Sequence, residues 1–379
     1  MTMTMIDAKR DLGGAEKLDW LQLLRSENVG PVTFYKLLER FGTATAALDA
    51  LPELAKRGGA RSIKVASRSA AEKEVEEINQ AHAHLIASTE PAYPPLLSCL
   101  EDAPPLIIVM GRTHLLKKKT VSIVGTRNAS ITGVRLAQSF AAAFGEAGFL
   151  VASGLARGID TAAHQGALSA GTVAVVAGGA DVIYPKENDE LYARIAEQGA
   201  VLSEMPLGTT PQARHFPRRN RLISGCARGT VVIEATQRSG SLITARFAAE
   251  QNREVFALPG SPLDPRAKGT NDLIRQGAHL ADSAEEIIQQ LNDAYRPHLQ
   301  ETEPFVIKQL INTYPSDVEV RDARQALIKF LNPTPVTVDE IIRRCQMSPA
   351  AVSTVLLELE LAGRLERHPG GKVSLIGEV

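Results

Sequence analysis

The chain has 379 residues, with 42 Lys and Arg against 43 Asp and Glu, for a formal net charge of -1. That length predicts two or three domains, and 44% apolar with 22% charged residues excludes a chain disordered throughout. The cysteines Cys99, Cys226 and Cys345 form no CxxC pair, so a disulfide framework and a zinc knuckle are both excluded and a reducing, cytoplasmic setting is expected. No window approaches eighteen apolar residues, and residues 1–12 lack an apolar run after a basic start, so neither a membrane span nor a signal peptide is expected.

Residues 1–16 read as a mobile tail. From 17 to 90 the apolar residues Leu18, Leu21 and Leu24, then Phe34, Leu37, Leu38 and Phe41, recur at helical spacing and predict a small helical domain. Between the two sets lies Asn28-Val29-Gly30-Pro31, a tight turn with Pro31 placed to open the next helix. The pattern resembles a helix-hairpin-helix, whose amides can hold a phosphate. With 10 basic and 11 acidic residues between 16 and 90, a purely structural hairpin reads as well as a DNA contact.

From 91 to 296 the pattern becomes βα alternation. Strand-like runs begin near Val121, Phe149, Thr172, Ala200, Thr230 and Glu254, each followed by a helix-length segment, which predicts an α/β, Rossmann-like doubly wound, mostly parallel sheet. Right-handed crossovers would bring the loops after the strands to one sheet edge. In the first loop Gly125 permits close backbone approach, Thr126 and Ser130 supply hydroxyls, and Arg127 offers a charged fork. Ser153, Gly154 and Gly158 repeat the arrangement, and Ser239-Gly240-Ser241 opens a further helix whose first amides are free for an anion. Each loop could equally serve helix-sheet packing and capping. Several in register suit a polyanion.

Residues 205–233 carry Arg214, His215, Arg218, Arg219, Arg221 and Arg228 without one Asp or Glu, a local anion trap in a nearly neutral chain. Within it Arg218, Arg219, Asn220 and Arg221 are the expected phosphate contacts, with Arg214 and Arg228 as flanking charge. Glu204 and Glu234, at strand ends, are expected to orient arginines. Asp160 and His164 stand four apart on a helix and suggest a pair bracing it more than acid-base or metal chemistry.

Established nucleotide signatures are missing. The first loop reads GTRNAS, not GxGxxG, and no segment supplies GxxxxGK[ST], GxSxG, HExxH or an EF-hand loop. No cofactor, metal or catalytic residue is therefore expected.

Residues 297–304 read as a charged, Pro-containing linker. From 305 to 379 three helices, over 326–331, 337–345 and 348–362, and a hairpin through Gly370-Gly371 predict a winged helix. Its third helix has Glu358 and Glu360 but no Lys or Arg, and residues 301–379 carry 9 basic and 11 acidic side chains. The expectation is a protein-interaction or packing module rather than a reader of duplex DNA.

The segments VSIVGTRNAS, SGLARGIDTAAHQGAL, GGADVIYPKEN, SEMPLG, HFPRRNRLISG, SGSLITARFAAEQNREVFALPG and GTNDLIRQGA together resemble the DNA-processing protein A family, DprA/Smf, in family order across the middle region. The resemblance implies a non-enzymatic protein that binds single-stranded DNA, protects incoming strands in natural transformation, loads the recombinase RecA, and forms a homodimer. The family's glycine-hydroxyl-arginine loop falls on Gly125, Thr126 and Arg127, with Thr126 in place of a usual Ser. Its lysine after Tyr-Pro falls on Lys186, near Asn188, and its FPxRNRxIS segment on residues 216–224. Single strands need a positive groove with occasional stacking, and with 4% aromatic residues phosphate contacts should dominate. Tyr184 and Phe216 are the candidate stacking rings, or else packed loop anchors. The alternative class is a nucleotide-processing enzyme, hydrolysing nucleoside monophosphates on a related fold. Its PGGxGTxxE segment is not met, because the corresponding place reads EATQRSGSLIT.

Overall fold

A computed structural model describes residues 10–294, 315–368 and 370–376. The expected linker 297–304 and residues 1–9 of the expected tail lie outside these residues. The described residues divide into two compact units, one containing 13–72 with the described C-terminal residues, the other containing 10–12 with 73–294.

In the first unit, α1 (Gly14–Leu24), α2 (Pro31–Phe41) and α3 (Ala44–Arg57) enclose Trp20, Leu21, Leu23, Phe34, Leu37 and Leu51. Pro31 occupies the first turn of α2, where its missing N–H costs nothing, and Thr43 caps α3 by accepting from the Ala46 amide. Helix α4 (Arg68–Gln80) runs across the division between the units. The C-terminal part is a winged helix. It consists of α12 (Asp317–Phe330), β10 (Val336–Thr337), α13 (Val338–Cys345), α14 (Pro349–Leu361) and the wing strands β11 (Leu365–His368) and β12 (Lys372–Leu375), around Leu327, Ile341, Val352, Val355, Leu356 and Val373. A Ser316-Glu319 capping box starts α12 well before the expected residue 326.

The second unit is a nine-stranded sheet. In chain order its elements are β1 (Ala83–Ala87), β2 (Leu106–Gly111), β3 (Thr120–Val124), α5 (Ile131–Glu146), β4 (Leu150–Ser153), α6 (Ile159–Ala167), β5 (Thr172–Val175), α7 (Asp189–Gln198), β6 (Ala200–Ser203), α8 (His215–Gly225), β7 (Gly229–Val232), α9 (Ser241–Glu250), β8 (Glu254–Ala257), α10 (Lys268–Arg275), β9 (His279–Leu280) and α11 (Ala284–Ala294). Strand order is β1-β2-β6-β5-β4-β3-β7-β8-β9, parallel from β6 to β9 and antiparallel at β1-β2 and β2-β6.

Alternation along the strands sorts side chains between two cores. Val121, Ile123, Val151 and Val231 join Phe140 and Phe144 of α5 and Ile287 of α11 on one face, whereas Val124, Leu150, Ala152 and Val232 join Leu222 and Ile223 of α8 on the other. Burial on both faces explains the near-continuous apolar runs that mark β3 to β8 in the sequence.

Two expectations are corrected. The segment 83–87, expected within the helical region 17–90, is a sheet strand, held by the apolar run 106–110 that forms β2. The expected tail 1–16 gives way at residue 10: Arg10 N–H donates to the Thr89 carbonyl at 2.9 Å, Leu12 N–H to the Glu90 carboxylate at 3.3 Å, and α1 begins at Gly14.

Candidate nucleic-acid interface

Strand β3 is where the winding reverses. The chain steps outward through β4, β5 and β6, then returns to β7 on the other side of β3, so the loops after β3, β4 and β7 diverge at a crevice of the kind where open sheets bind ligands.

The loop after β3 is clamped from β7. Thr126 N–H donates to the Glu234 carbonyl at 2.8 Å, and Ser130 donates to the Glu234 carboxylate through both N–H, at 2.9 Å, and Oγ, at 2.5 Å. Ser130 Oγ also accepts from Gly133 N–H at 2.9 Å, capping α5. Glu234, expected to orient an arginine, instead holds this loop. Thr126 is buried with its Oγ1 accepting from Asn128 N–H, while Arg127 projects into solvent. Gly125 is forced by close approach, since a Cβ there would sit 2.6 Å from the Ile159 side chain.

The loop after β4 already contains an anion. The Asp160 carboxylate accepts the amides of Gly154, at 3.1 Å, and Ala156, at 3.4 Å. Burial raises the Asp160 carboxyl to about 6, against the opposing pull of Arg219, these two amides and Arg127. Ser153 is wholly buried and donates to the Ile123 carbonyl at 2.6 Å. The phosphate roles expected of Ser153 and Gly154 are therefore corrected, because an internal carboxylate and a carbonyl take their polar groups. Gly158 has φ of 78° and packs against the Thr126 carbonyl, so it joins two loops rather than cradling a ligand. His164 is fully buried with Nδ1 2.8 Å from Thr172 Oγ1, and burial lowers its pKa to about 3.

Helix α8 sends its arginines in different directions. Arg218 is exposed. Arg219 is buried beneath the sheet edge, its guanidinium donating to the Gly154 carbonyl at 2.6 Å and to the Val175 carbonyl, and burial lowers its pKa to about 10. Arg221 is buried too, donating to the Asp102 carbonyl at 2.6 Å and to the Glu204 carboxylate at 2.5 Å. The acid-free arginine segment is thus partly neutralised in space by acids outside it, Glu204 at its edge and the distant Asp102. Arg221 is corrected from phosphate ligand to structural anchor, while Glu204 does orient an arginine. Asn220 reaches the Gly240 carbonyl at 3.4 Å.

Two adjoining cavities open over these loops. The larger, about 610 Å³, is walled by Val176, Val182, Ile183, Tyr184, Pro211 and Phe216, with Arg127, Arg157, Lys186 and Arg219 among its polar residues. The smaller, about 380 Å³, brings Gly125, Thr126 and Arg127 together with Asn220 and with Ser239, Gly240 and Ser241 at the start of α9. Arg127, Ala156, Phe216 and Arg219 line both. The Arg127 guanidinium carbon lies 5.5 Å from the Phe216 ring centroid, and Phe216 lies 5.7 Å from the Tyr184 ring. Lys186 is exposed, whereas Asn188 is buried and donates to the Leu155 carbonyl at 2.9 Å, which corrects its role to holding the loop. Ser239 Oγ and Ser241 Oγ are 2.7 Å apart. Arg218 lines neither cavity. The residues missed from sequence are Arg157 and the apolar Val182 and Ile183, although Arg157 stands in the quoted SGLARG run.

A doubly wound sheet with a basic, aromatic-faced crevice at its switch point, accompanied by a helical hairpin domain and a winged helix, defines a DNA-processing protein. Residues 84–292 match the family described as DNA recombination-mediator protein A, residues 14–76 the DprA-like N-terminal HHH domain, and residues 312–371 the DprA winged helix domain. The chain is 39% identical to Protein Smf of Escherichia coli strain K12 over 303 residues, 79% of each chain. It resembles the X-ray structure of DNA processing protein A from Streptococcus pneumoniae with TM-score 0.60 and 34% identity, over 74% of this chain and 99% of that one. It also resembles DNA processing protein A from Helicobacter pylori, described for its unique single-stranded DNA binding mode, with TM-score 0.52 and 28% identity, over 56% and 97% of the two chains. The chain belongs to the DNA-processing protein A family, DprA/Smf.

Proposed function

We propose that this protein binds single-stranded DNA without sequence preference in the crevice between Arg127, Lys186, Tyr184 and Phe216, and that it does so as a non-enzymatic, cytoplasmic recombination mediator. The observation that carries this reading is the Phe216 ring standing between two cavities with Arg127 beside it, so that one cation and one ring face serve adjoining sites. A backbone tracked by cations with a stacking ring is what single strands require. The Helicobacter pylori relative, described as binding single-stranded DNA, supports the same substrate.

Within this reading the phosphate contacts are Arg127, Lys186, the Gly125 and Gly240 amides and the hydroxyls of Thr126, Ser239 and Ser241. The protein protects incoming strands, passes them to the RecA recombinase and works as a homodimer. The domains are the helical domain from 17, closing before β1 at Ala83, the sheet domain from β1 to 296 and the winged helix over 305–379. Among the described residues no helix is long and apolar enough to cross a membrane. The test is binding of single-stranded and duplex oligonucleotides across a salt series, with and without the recombinase. Single strands should bind more tightly and with a linear log-log salt dependence. Equal binding of duplex would overturn the reading, and release of base from nucleoside monophosphates, lost in Arg127→Ala, would favour an enzyme instead.

A further inference from the structure

We propose that the third helix of the winged helix is a docking helix whose partner is the helical domain of the same chain, and that this seam ties down the 28–31 turn through Asn28 while keeping the helix from duplex DNA. Helix α14 is buried on two sides. Val352, Val355, Leu356 and Leu359 face the core of their own module, yet Leu357, Glu358 and Leu361 are also no more than 3% exposed. The second side lies against α3 and α2.

The closest approach is at Gly58, just past the end of α3. Its φ and ψ of -72° and -8° are open to any residue, so the backbone gives no reason for glycine. A Cβ there would stand 1.9 Å from the Glu358 carbonyl oxygen and 2.8 Å from the Ala362 methyl. The reason for glycine is the neighbouring helix. On the same C-terminal turn of α14 the Asn28 side-chain amide donates to the Leu361 carbonyl at 3.0 Å. That acceptor belongs to a helix C-terminus and carries partial negative charge, so the polar side chain of the turn is spent on the protein itself.

Chemistry along α14 also disfavours nucleic acid. Glu358, fully buried, is held by Arg324 at 2.5 Å, and α14 has no Lys or Arg to offer a phosphate. The side that remains, with Pro349 and Ala350 exposed and Ser353, Thr354 and Glu360 half-buried, offers no cation to a phosphate.

The test is hydrogen exchange on the full chain, comparing wild type with Gly58→Ala, Asn28→Ala and, as a comparator, Gly14→Ala, where a Cβ meets nothing within 4 Å. Both seam variants should raise exchange several-fold at 349–361 and at 28–31, with 317–330 and 120–260 unchanged, and Gly14→Ala should match wild type. A change at 317–330 as large as at 349–361 would mean that the module itself had loosened and would count against the seam. Exchange at 349–361 that is alike in all four proteins would overturn it. Protection that appears only at high protein concentration would place the partner in a second copy, and slowing at 349–361 when a duplex oligonucleotide is added to wild type would show the helix reading DNA; either result overturns the proposal.

Discussion

The Arg127 guanidinium carbon stands 5.5 Å from the centroid of the Phe216 ring, which also lies 5.7 Å from the Tyr184 ring and 6.0 Å from the Arg219 guanidinium carbon. A ring flanked in this way presents a platform to a base, and removal of such a platform costs about 1–3 kcal/mol per base. Phe216→Ala should therefore weaken single-strand binding about 5-fold to 150-fold with the salt dependence unchanged, read by fluorescence anisotropy. A loss of thermal stability with intact affinity would make Phe216 a loop anchor.

Arg127 and Lys186 are exposed cations at the cavity rim, so their contribution should be counterion release. Arg127→Ala and Lys186→Ala should each lower the slope of log K against log salt by roughly 0.7, the value for one phosphate on a single strand. An unchanged slope and affinity in both variants would remove them from the interface.

Arg221 should behave in the opposite way. Its side chain is 10% exposed and its partner Glu204 17%, and removal of one member of such a pair leaves the other charge buried and unpaired. Arg221→Ala should cost about 3–5 kcal/mol of stability in denaturant titrations, yet leave the salt slope of DNA binding intact. A normal denaturation midpoint would show the pair to be dispensable.

Glu234 sets two effects against each other. Its loss removes a negative charge near a phosphate site, which favours DNA, but also removes the acceptor that fixes Ser130 and thereby the loop carrying Arg127. Loop positioning should win, because a misplaced cation loses a charge-assisted contact. Glu234→Ala should weaken single-strand binding, and tighter binding would show that the charge dominates.

Asp160 and His164 carry opposite pH dependences. Asp160 binds its proton more tightly in the folded state, about 6 against 3.8, so between those values its contribution to stability falls as pH rises. His164, lowered from 6.5 to about 3, makes a contribution that is present above 6.5 and is lost as pH falls toward 3. From pH 4 to 6 the two slopes oppose and offset each other. Asp160→Asn should expose the histidine alone, so stability of the variant relative to wild type should climb by about 1.4 kcal/mol per pH unit across that window. Parallel stability curves would show that Asp160 titrates normally.

Strands β3 to β8 were legible because a parallel strand buried on both faces must be apolar almost throughout, as runs such as 121–124 and 230–233 are. The run 106–110 is as apolar, but no helix-length segment precedes it in βα rhythm, and its antiparallel pairing with β1 and β6 is a long-range choice. Of the candidate site, Arg127, Lys186, Tyr184 and Phe216 do meet across the cavities. Ser153, Asn188 and Arg221 do not join them, because each is satisfied inside the fold.

Local chemistry in the sequence was enough to determine the alternating sheet, the glycine loops at its edge and a concentration of arginine in 205–233. Only the tertiary structure decided what each arginine does. A helix advances about 100° per residue, so neighbours such as Arg218, Arg219 and Arg221 leave its axis in different directions. Which direction meets solvent, a carbonyl or the carboxylate of Glu204 depends on strands more than a dozen residues away. Charge is written along the chain, but its neutralisation is written in space.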